Sequence, residues 1–208
     1  MYDLRGCNLL PLFMKKHERH LGRRAAIKQG FWCLGVGAGL CAGPARATAQ
    51  EDKAALRPQP GDLLIKSGDA AMTPLRPEDV PLAAKQTMAW AMEPAEKIVR
   101  SGSRFNLILL VRFESAKLSD DTRARAADGV VAYTAICPHS GCEVDEWLPE
   151  EQILYCPCHA SKFEPKNGAK VVDGPAPRVL PALPLKVVDG QLVVAGSFTA
   201  RIGFETAE

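Results

Sequence analysis

Two short segments hold every cysteine and histidine that follows residue 41. Residues 137–142 read Cys-Pro-His-Ser-Gly-Cys, and residues 156–161 read Cys-Pro-Cys-His-Ala-Ser. Each segment offers one thiol and one imidazole at a spacing typical of metal ligands. Because a metal centre needs several ligands at once, the chain must fold so that the two segments meet. That requirement constrains its architecture more than any other feature.

The two segments together supply ligands for a pair of irons, one held by cysteines and the other by histidines. Cys137 and Cys156 would hold one iron of a 2Fe-2S cluster, and His139 and His159 the other. A structural zinc ion is the alternative, because Cys and His at these spacings are chemically adequate ligands for it. A c-type haem is excluded, since one residue separates Cys156 from Cys158 and haem attachment needs two.

Two cysteines of these segments, Cys142 and Cys158, are left over. Spare thiols in neighbouring loops suggest a disulfide, which persists only in an oxidising compartment. Such a bond would tie together the two loops that carry the ligands and would pre-organise them. The same cysteines are also compatible with a non-redox binding module stapled by zinc or by the disulfide.

The two segments, together with Gly174-Pro175-Ala176-Pro177, resemble Rieske iron-sulfur proteins. The similarity is to the disulfide-containing branch, which includes the iron-sulfur subunit of quinol:cytochrome c oxidoreductase and the small subunit of arsenite oxidase. It spans about residues 130–196. The resemblance implies a Rieske 2Fe-2S cluster with the ligands Cys137, His139, Cys156 and His159, and a disulfide between Cys142 and Cys158. It also implies that Ser161 hydrogen-bonds a bridging sulfide and that Gly174 and Pro175 belong to a proline loop covering the cluster.

Two positions depart from the pattern of the quinol-oxidising members. Phe163 stands where the high-potential members carry a tyrosine whose hydroxyl bonds a ligand sulfur, and Ser140 stands where they usually carry leucine. Hydrogen bonds to cluster sulfurs stabilise the more negative reduced state, so the loss of one lowers the reduction potential. We therefore expect a potential below that of the respiratory quinol oxidases. Ser140 also weakens the case for quinol docking.

Residues 1–49 are typical of a bacterial twin-arginine export signal. Gly22-Arg23-Arg24-Ala25-Ala26-Ile27-Lys28 carries the twin arginines, and Ala47-Thr48-Ala49 is a cleavage candidate. The apolar run between them covers only residues 30–43, whereas a membrane-spanning helix needs roughly 20 residues. Cleavage is therefore favoured over a retained anchor. The sequence predicts a periplasmic protein, soluble or anchored to the inner membrane by an uncleaved leader, with Met1 or Met14 as its start.

The charge distribution argues against nucleic acid as a partner. Without residues 1–49, which hold eight Lys/Arg and two Asp/Glu, the formal net charge changes from +2 to −4. No basic stripe interleaved with aromatic residues appears in the remainder. Carboxylates flank the first segment instead, either as an ordinary solvated face or as a docking surface for a basic partner such as a cytochrome c. They are Glu143, Asp145, Glu146, Glu150 and Glu151.

The pattern of the remaining chain predicts an all-β, Rieske-type domain of antiparallel sheets. Residues 50–60 are polar and proline-tipped, which indicates a linker, and residues 61–208 form the domain with a cluster-binding subdomain inserted at 137–178. The short apolar run 107–111 predicts a buried strand. Strands are expected before each metal-ligand segment, over 129–136 and 152–155, and a short helix over 122–127. Asn167-Gly168 and Asp189-Gly190 predict two-residue hairpin turns.

These features together predict one-electron transfer rather than a complete enzyme, and no catalytic residues are expected. No histidine remains for the mononuclear iron of an oxygenase, and no Gly-rich nucleotide fingerprint is present. The donor would be a redox enzyme or a membrane cytochrome complex, and the acceptor a cytochrome c-like protein. We favour a subunit or partner of a periplasmic redox enzyme. The alternatives are the Rieske subunit of a membrane quinol:cytochrome c oxidoreductase and the non-redox zinc or disulfide module.

Overall fold

The described part of the chain forms two sheets whose strand pairs are antiparallel. A computed structural model describes residue 50 and residues 52–204. The first sheet has seven strands in the order β10-β11-β1-β2-β4-β5, with β3 paired to β2. Its strands are β1 (Leu63–Lys66), β2 (Thr87–Glu93), β3 (Ile98–Val99), β4 (Ile108–Arg112), β5 (Val130–Thr134), β10 (Leu185–Val188) and β11 (Gln191–Val194). This arrangement confirms the all-β prediction.

A second sheet of four strands lies between β5 and β10 in the sequence. It runs β6-β7-β8-β9 in space as well as along the chain. Its strands are β6 (Glu146–Leu148), β7 (Ile153–Cys156), β8 (Ser161–Glu164) and β9 (Lys170–Asp173). Each neighbouring pair is joined by a hairpin connection, which is the simplest way to build an antiparallel sheet. Both metal-ligand segments border this sheet, because one precedes β6 and the other connects β7 to β8.

Two apolar cores lie on the two faces of the large sheet, and β4 contributes to both. Leu109 and Val111 pack in one core together with Cys137, Cys156 and other residues next to the second sheet. Ile108 and Leu110 alternate with them and pack in the other core. All four side chains are fully buried. The run 107–111 is apolar throughout because β4 is covered on both faces, as the sequence predicted.

The connections match the sequence in part. Asp189 and Gly190 both have positive φ, +50° and +76°, and they link β10 to β11 as a two-residue turn, as predicted. Asn167 and Gly168 do not form such a turn. They belong to a five-residue connection that begins with the 3₁₀ turn Pro165–Asn167 and ends at Ala169. The helix expected over 122–127 is a single turn, α1 (Asp120–Arg123).

The segment before β1 is in contact with the loop between β3 and β4. Asn106 donates a 2.7 Å hydrogen bond from its side-chain amide to the carbonyl oxygen of Leu56, and Arg100 donates one of 2.9 Å to the carbonyl of Lys53. Arg100 also forms a buried ion pair with Asp62 at 3.0 Å. Residues 53–62 are thereby fastened to the loop between β3 and β4. No helix within residues 52–204 has the length and apolar character needed to cross a bilayer.

Candidate metal centre

The first metal-ligand segment is a tight loop that follows β5. The backbone N–H of Cys137 donates to the carbonyl of Cys142 at 2.8 Å, and the N–H of Gly141 donates to the carbonyl of Cys137 at 3.0 Å. Gly141 has φ +78°, a conformation that glycine adopts without strain. The loop therefore closes on itself and holds His139 at its tip.

The second metal-ligand segment is the connection between β7 and β8. Cys156 ends β7 and Ser161 begins β8, and the two residues are directly paired across the hairpin. The turn between them exposes Cys158 and His159 and passes through Ala160 at φ +61°. Strand pairing thus fixes Cys156 in the core and leaves His159 on the surface.

The structure brings the four expected ligands together as two pairs. Cys137 and Cys156 are each 1% exposed, and neither is in a disulfide. The rings of His139 and His159 meet edge to face, with their centroids 4.6 Å apart. His139 is half-buried and His159 is exposed. The thiols therefore face the protein interior and the imidazoles face outward.

Two features show that this site suits a cationic group. Burial, and after it the charge of the neighbouring Cys137, raise the pKa of the Cys156 thiol to about 11. Adjacent cationic irons reverse this effect, because a coordinating thiol is deprotonated outright. Nδ1 of His139 is buried and has no hydrogen-bond partner in the described part of the chain. A metal ligated by that nitrogen would satisfy it.

The ligand pairs fit a two-iron cluster, because the two thiols lie together in the core and the two imidazoles meet at the surface. Each iron of a 2Fe-2S cluster needs two protein ligands, and a Rieske centre uses two thiolates and two imidazoles. A structural zinc ion needs four ligands around one metal position. The thiol pair and the imidazole pair match the ligands of a Rieske centre.

The two loops are covalently joined. Cys142 and Cys158 form a disulfide, with their Cα atoms 6.5 Å apart. The pairing suggested by the sequence is therefore confirmed. The bond connects the residue that ends the first segment to the residue that precedes His159. Each loop carries one thiol and one imidazole, so the disulfide constrains the relative position of both ligand pairs.

A third loop closes over the second segment. Gly174 approaches so closely that a Cβ built on it would lie 2.7 Å from the carbonyl oxygen of Ala160 and 2.5 Å from Cα of Ser161. Pro175 follows and is exposed, and the N–H of Ala176 donates to Oγ of Ser161 at 3.2 Å. Ser161 is fully buried. Its hydroxyl accepts from the loop and keeps its own proton free to donate elsewhere.

The two positions that depart from the expected pattern differ in burial. Phe163 is fully buried in the core that also contains Cys137 and Cys156. Ser140 is exposed, and its Oγ lies 3.4 Å from Nδ1 of His159 and 3.7 Å from Sγ of Cys142. Position 163 is therefore suited to influence the thiol pair, and position 140 the imidazole pair.

Three residues that support the site carry no signal in the sequence. Arg104 donates a hydrogen bond to the carbonyl oxygen of Gly141 in the first segment. Gln86 donates from its amide to the carbonyl of Val144, at 3.3 Å, just after that segment. Tyr133 donates to the carbonyl of Pro165 at 2.7 Å. These contacts join residues 32 to 58 positions apart, so no local motif could have revealed them.

Comparison with known proteins gives a consistent result. A sequence profile of the Rieske 2Fe-2S domain matches residues 107–184. The chain is 32% identical to the cytochrome bc1 complex Rieske iron-sulfur subunit of Streptomyces lividans, over 62% of this chain and 78% of that one. It is 36% identical to a Haloferax mediterranei protein whose name assigns it to a respiratory nitrate reductase as its Rieske subunit. That alignment covers 62% of this chain and 56% of the relative, so the chain spans little more than half the relative's length.

A solved structure gives a further match. It is the cyanobacterial plasma membrane Rieske protein PetC3 from Synechocystis PCC 6803, at 23% identity and a TM-score of 0.34. The match covers 53% of this chain and 85% of that one.

Proposed function

Because the chain belongs to the family of Rieske 2Fe-2S proteins, we propose that it transfers single electrons as the cluster-bearing subunit of a redox complex outside the cytoplasm. The main observation behind this proposal is that the two ligand pairs differ in their exposure to solvent. Both thiols are buried, whereas His139 is half-buried and His159 is exposed. One end of the ligand set is thus enclosed by protein and the other is open to a partner.

In this proposal Cys137 and Cys156 hold the inner iron, and His139 and His159 hold the outer one. The bound cluster supplies a site that accepts and releases one electron at a time. The protein holds the ligands in place through the disulfide and excludes water from the thiol end by burying it. Neutral imidazole adds less negative charge than thiolate, so this ligand set favours reduction more than four thiolates would.

The proposed compartment is the periplasm. The disulfide between Cys142 and Cys158 is the supporting observation, because such bonds persist in oxidising compartments and are rare in the cytosol. The twin-arginine signature at residues 22–28 points the same way, although it lies outside the described residues. Whether the leader is cleaved after Ala49 decides between a soluble and an anchored protein. Replacement of both Arg23 and Arg24 by Lys should leave the protein in the cytoplasm.

For the partner we favour a periplasmic redox enzyme that feeds a cytochrome c-like acceptor. One relative is named for a nitrate reductase and another for a bc1 complex. Ser140 supports the first kind of partner, since it places a hydroxyl beside His159 where the quinol-oxidising subunits usually carry leucine. The carboxylates at 143, 145, 146, 150 and 151 are all exposed and would suit a basic acceptor.

A quinol:cytochrome c oxidoreductase is the second candidate, because the bc1 subunit of Streptomyces lividans is covered over 78% of its length. There the exposed His159 would accept a hydrogen bond from quinol. Co-purification from membranes separates the two candidates. A b-type cytochrome that accompanies the chain, with electron transfer blocked by quinone-site inhibitors, would contradict the favoured partner. An accompanying periplasmic dehydrogenase or reductase would support it.

The cluster assignment is tested on the full chain produced with iron. We expect two irons per chain, a rhombic EPR signal after reduction, and loss of both in Cys137→Ser and in Cys156→Ser. Ser197→Ala is the control, because it changes an exposed residue outside the two segments, and it should retain both properties. Tightly bound zinc with no EPR signal in the reduced protein would instead support the non-redox module.

A further inference from the structure

Arg104 places a positive charge against the first metal-ligand segment. It begins the 3₁₀ turn Arg104–Asn106, just before β4. Its guanidinium donates a hydrogen bond to the carbonyl oxygen of Gly141. That carbonyl belongs to the peptide that joins Gly141 to Cys142, and the N–H of Gly141 is itself bonded to the carbonyl of Cys137. The guanidinium is therefore one peptide away from the disulfide and linked by hydrogen bonds to a cysteine ligand.

Neighbouring aromatic rings fix the position of this guanidinium. Its central carbon lies 5.4 Å from the centroid of the Phe105 ring, within the range of a cation–π contact. Arg57 lies 5.6 Å from the same centroid. Phe204 packs beside Gly141, since a Cβ built on that glycine would lie 2.9 Å from the Phe204 ring and 3.0 Å from the Arg104 guanidinium. A side chain at position 141 would have to displace Arg104 or Phe204, and the φ of +78° independently favours glycine there.

No carboxylate in residues 52–204 forms an ion pair with Arg104. Other arginines of the domain do have such partners: Arg100 pairs with Asp62 at 3.0 Å and Arg123 with Asp120 at 2.8 Å. The hydrogen-bond partner of Arg104 is instead a backbone carbonyl of the metal-ligand segment. Within residues 52–204 no ion pair offsets its charge, and the field of that charge acts on the site. The same field polarises the Gly141–Cys142 peptide.

We propose that Arg104 is a positioning residue that also raises the reduction potential of the cluster. The proposal rests on the ligand assignment made above. Reduction adds one negative charge to the site, and a fixed cation nearby stabilises that charge. Arg104 would then offset part of the loss caused by Phe163, which cannot donate a hydrogen bond to a ligand sulfur. Its attachment to Gly141 would also limit movement of the loop that carries His139.

Substitutions of Arg104 can separate the effect of its charge from the effect of its hydrogen bond. Arg104→Lys keeps the charge and changes the donor geometry. Arg104→Gln keeps N–H donors and removes the charge, and Arg104→Met removes both. Arg76→Gln is the matched control, because Arg76 is also exposed and its recorded ion pair is with Glu78, outside the metal-ligand segments. Each full-length variant is loaded with its cluster, and the midpoint potential is measured by redox titration followed by EPR.

For Arg104→Gln and Arg104→Met we expect a lower potential than in the wild type. Loss of a partly screened unit charge should lower the equilibrium constant of one-electron reduction by about threefold to tenfold. A tenfold change corresponds to about 59 mV for one electron. Arg104→Lys and Arg76→Gln should stay near the wild-type value. The difference between Arg104→Gln and the wild type should shrink as salt is added, because exposed charges are screened over about 10 Å at 0.1 M.

The outcomes separate this inference from the proposed function. If the wild-type chain shows no Rieske-type EPR signal, the proposed function itself fails. If the cluster is present and both neutral variants keep the wild-type potential, the inference about Arg104 is wrong. It is also wrong if Arg104→Lys lowers the potential as much as Arg104→Gln, or if the difference does not respond to salt. If neither neutral variant binds the cluster whereas Arg104→Lys does, the charge serves loop assembly and the claim about the potential is overturned.

Discussion

The phenolic hydroxyl of Tyr133 donates a 2.7 Å hydrogen bond to the backbone carbonyl oxygen of Pro165. Tyr133 lies in β5 of the large sheet, and Pro165 begins the turn after β8 of the second sheet. Further bonds join the same regions. The N–H of Ser119 donates to the carbonyl of Lys166, and the N–H of Gly168 donates to the hydroxyl of Thr122. The segment between β4 and β5 that contains α1 therefore contacts the sheet that carries the second metal-ligand segment.

Tyr133→Phe should destabilise the protein without removing the cluster. The substitution leaves the buried carbonyl of Pro165 without its donor, which costs about 1–3 kcal/mol of unfolding free energy. Denaturant unfolding of the full chain measures this cost. Tyr155→Phe, at a half-buried tyrosine of β7, is the matched control and should change stability by less. Equal effects of the two substitutions would show that the bond to Pro165 does not stabilise the fold.

The pH dependence of stability should also depend on Tyr133. Burial raises the pKa of its phenol above the ordinary value of 10.0. Native Tyr133 therefore keeps its proton at pH values where the unfolded chain has lost it, and the stability of the wild type falls as the pH rises above about 10. Phenylalanine does not titrate. Between pH 10.5 and 11.5 the unfolding free energy of the wild type should fall by about 1.2 kcal/mol more than that of Tyr133→Phe. Parallel slopes would contradict the raised pKa.

Phe163→Tyr should raise the reduction potential of the cluster. Phe163 is fully buried in one core with Cys137 and Cys156, so a hydroxyl added there enters the surroundings of the thiol pair. A hydrogen bond to a ligand sulfur stabilises the reduced state. Redox titration of the full chain measures the change, and Phe113→Tyr adds the same hydroxyl elsewhere in that core as a control. An unchanged or lower potential in Phe163→Tyr would contradict the assigned role of this position.

The features that the sequence predicted correctly are encoded by residues close together in the chain. The spacing of Cys137, His139, Cys156 and His159 is imposed by the metal chemistry, and it is visible in two segments of six residues. The turn at Asp189 is likewise local, because two successive residues with positive φ select Asp-Gly.

The contacts that could not be predicted depend on distant parts of the chain. Asn167-Gly168 looks like a two-residue turn, but Pro165 starts a 3₁₀ turn whose first carbonyl is held by Tyr133, 32 residues earlier. Arg104 meets Gly141 across 37 residues only because β4 and β5 are paired. Both contacts follow from the pairing of strands, which no local spacing encodes.

Loss of the disulfide should destabilise both the fold and the cluster. Cys142 and Cys158 are 16 residues apart, and closing a loop of that size stabilises a protein by about 3 kcal/mol. For a chain of this length that corresponds to a fall in Tm of about 6–12 °C. Cys142→Ser combined with Cys158→Ser should show this fall by calorimetry and should lose iron faster in the presence of a chelator. Ser101→Ala combined with Ser197→Ala is the control, because both serines are exposed and lie outside the metal-ligand segments. Unchanged Tm and iron retention in the first double variant would show that strand pairing alone positions the two loops.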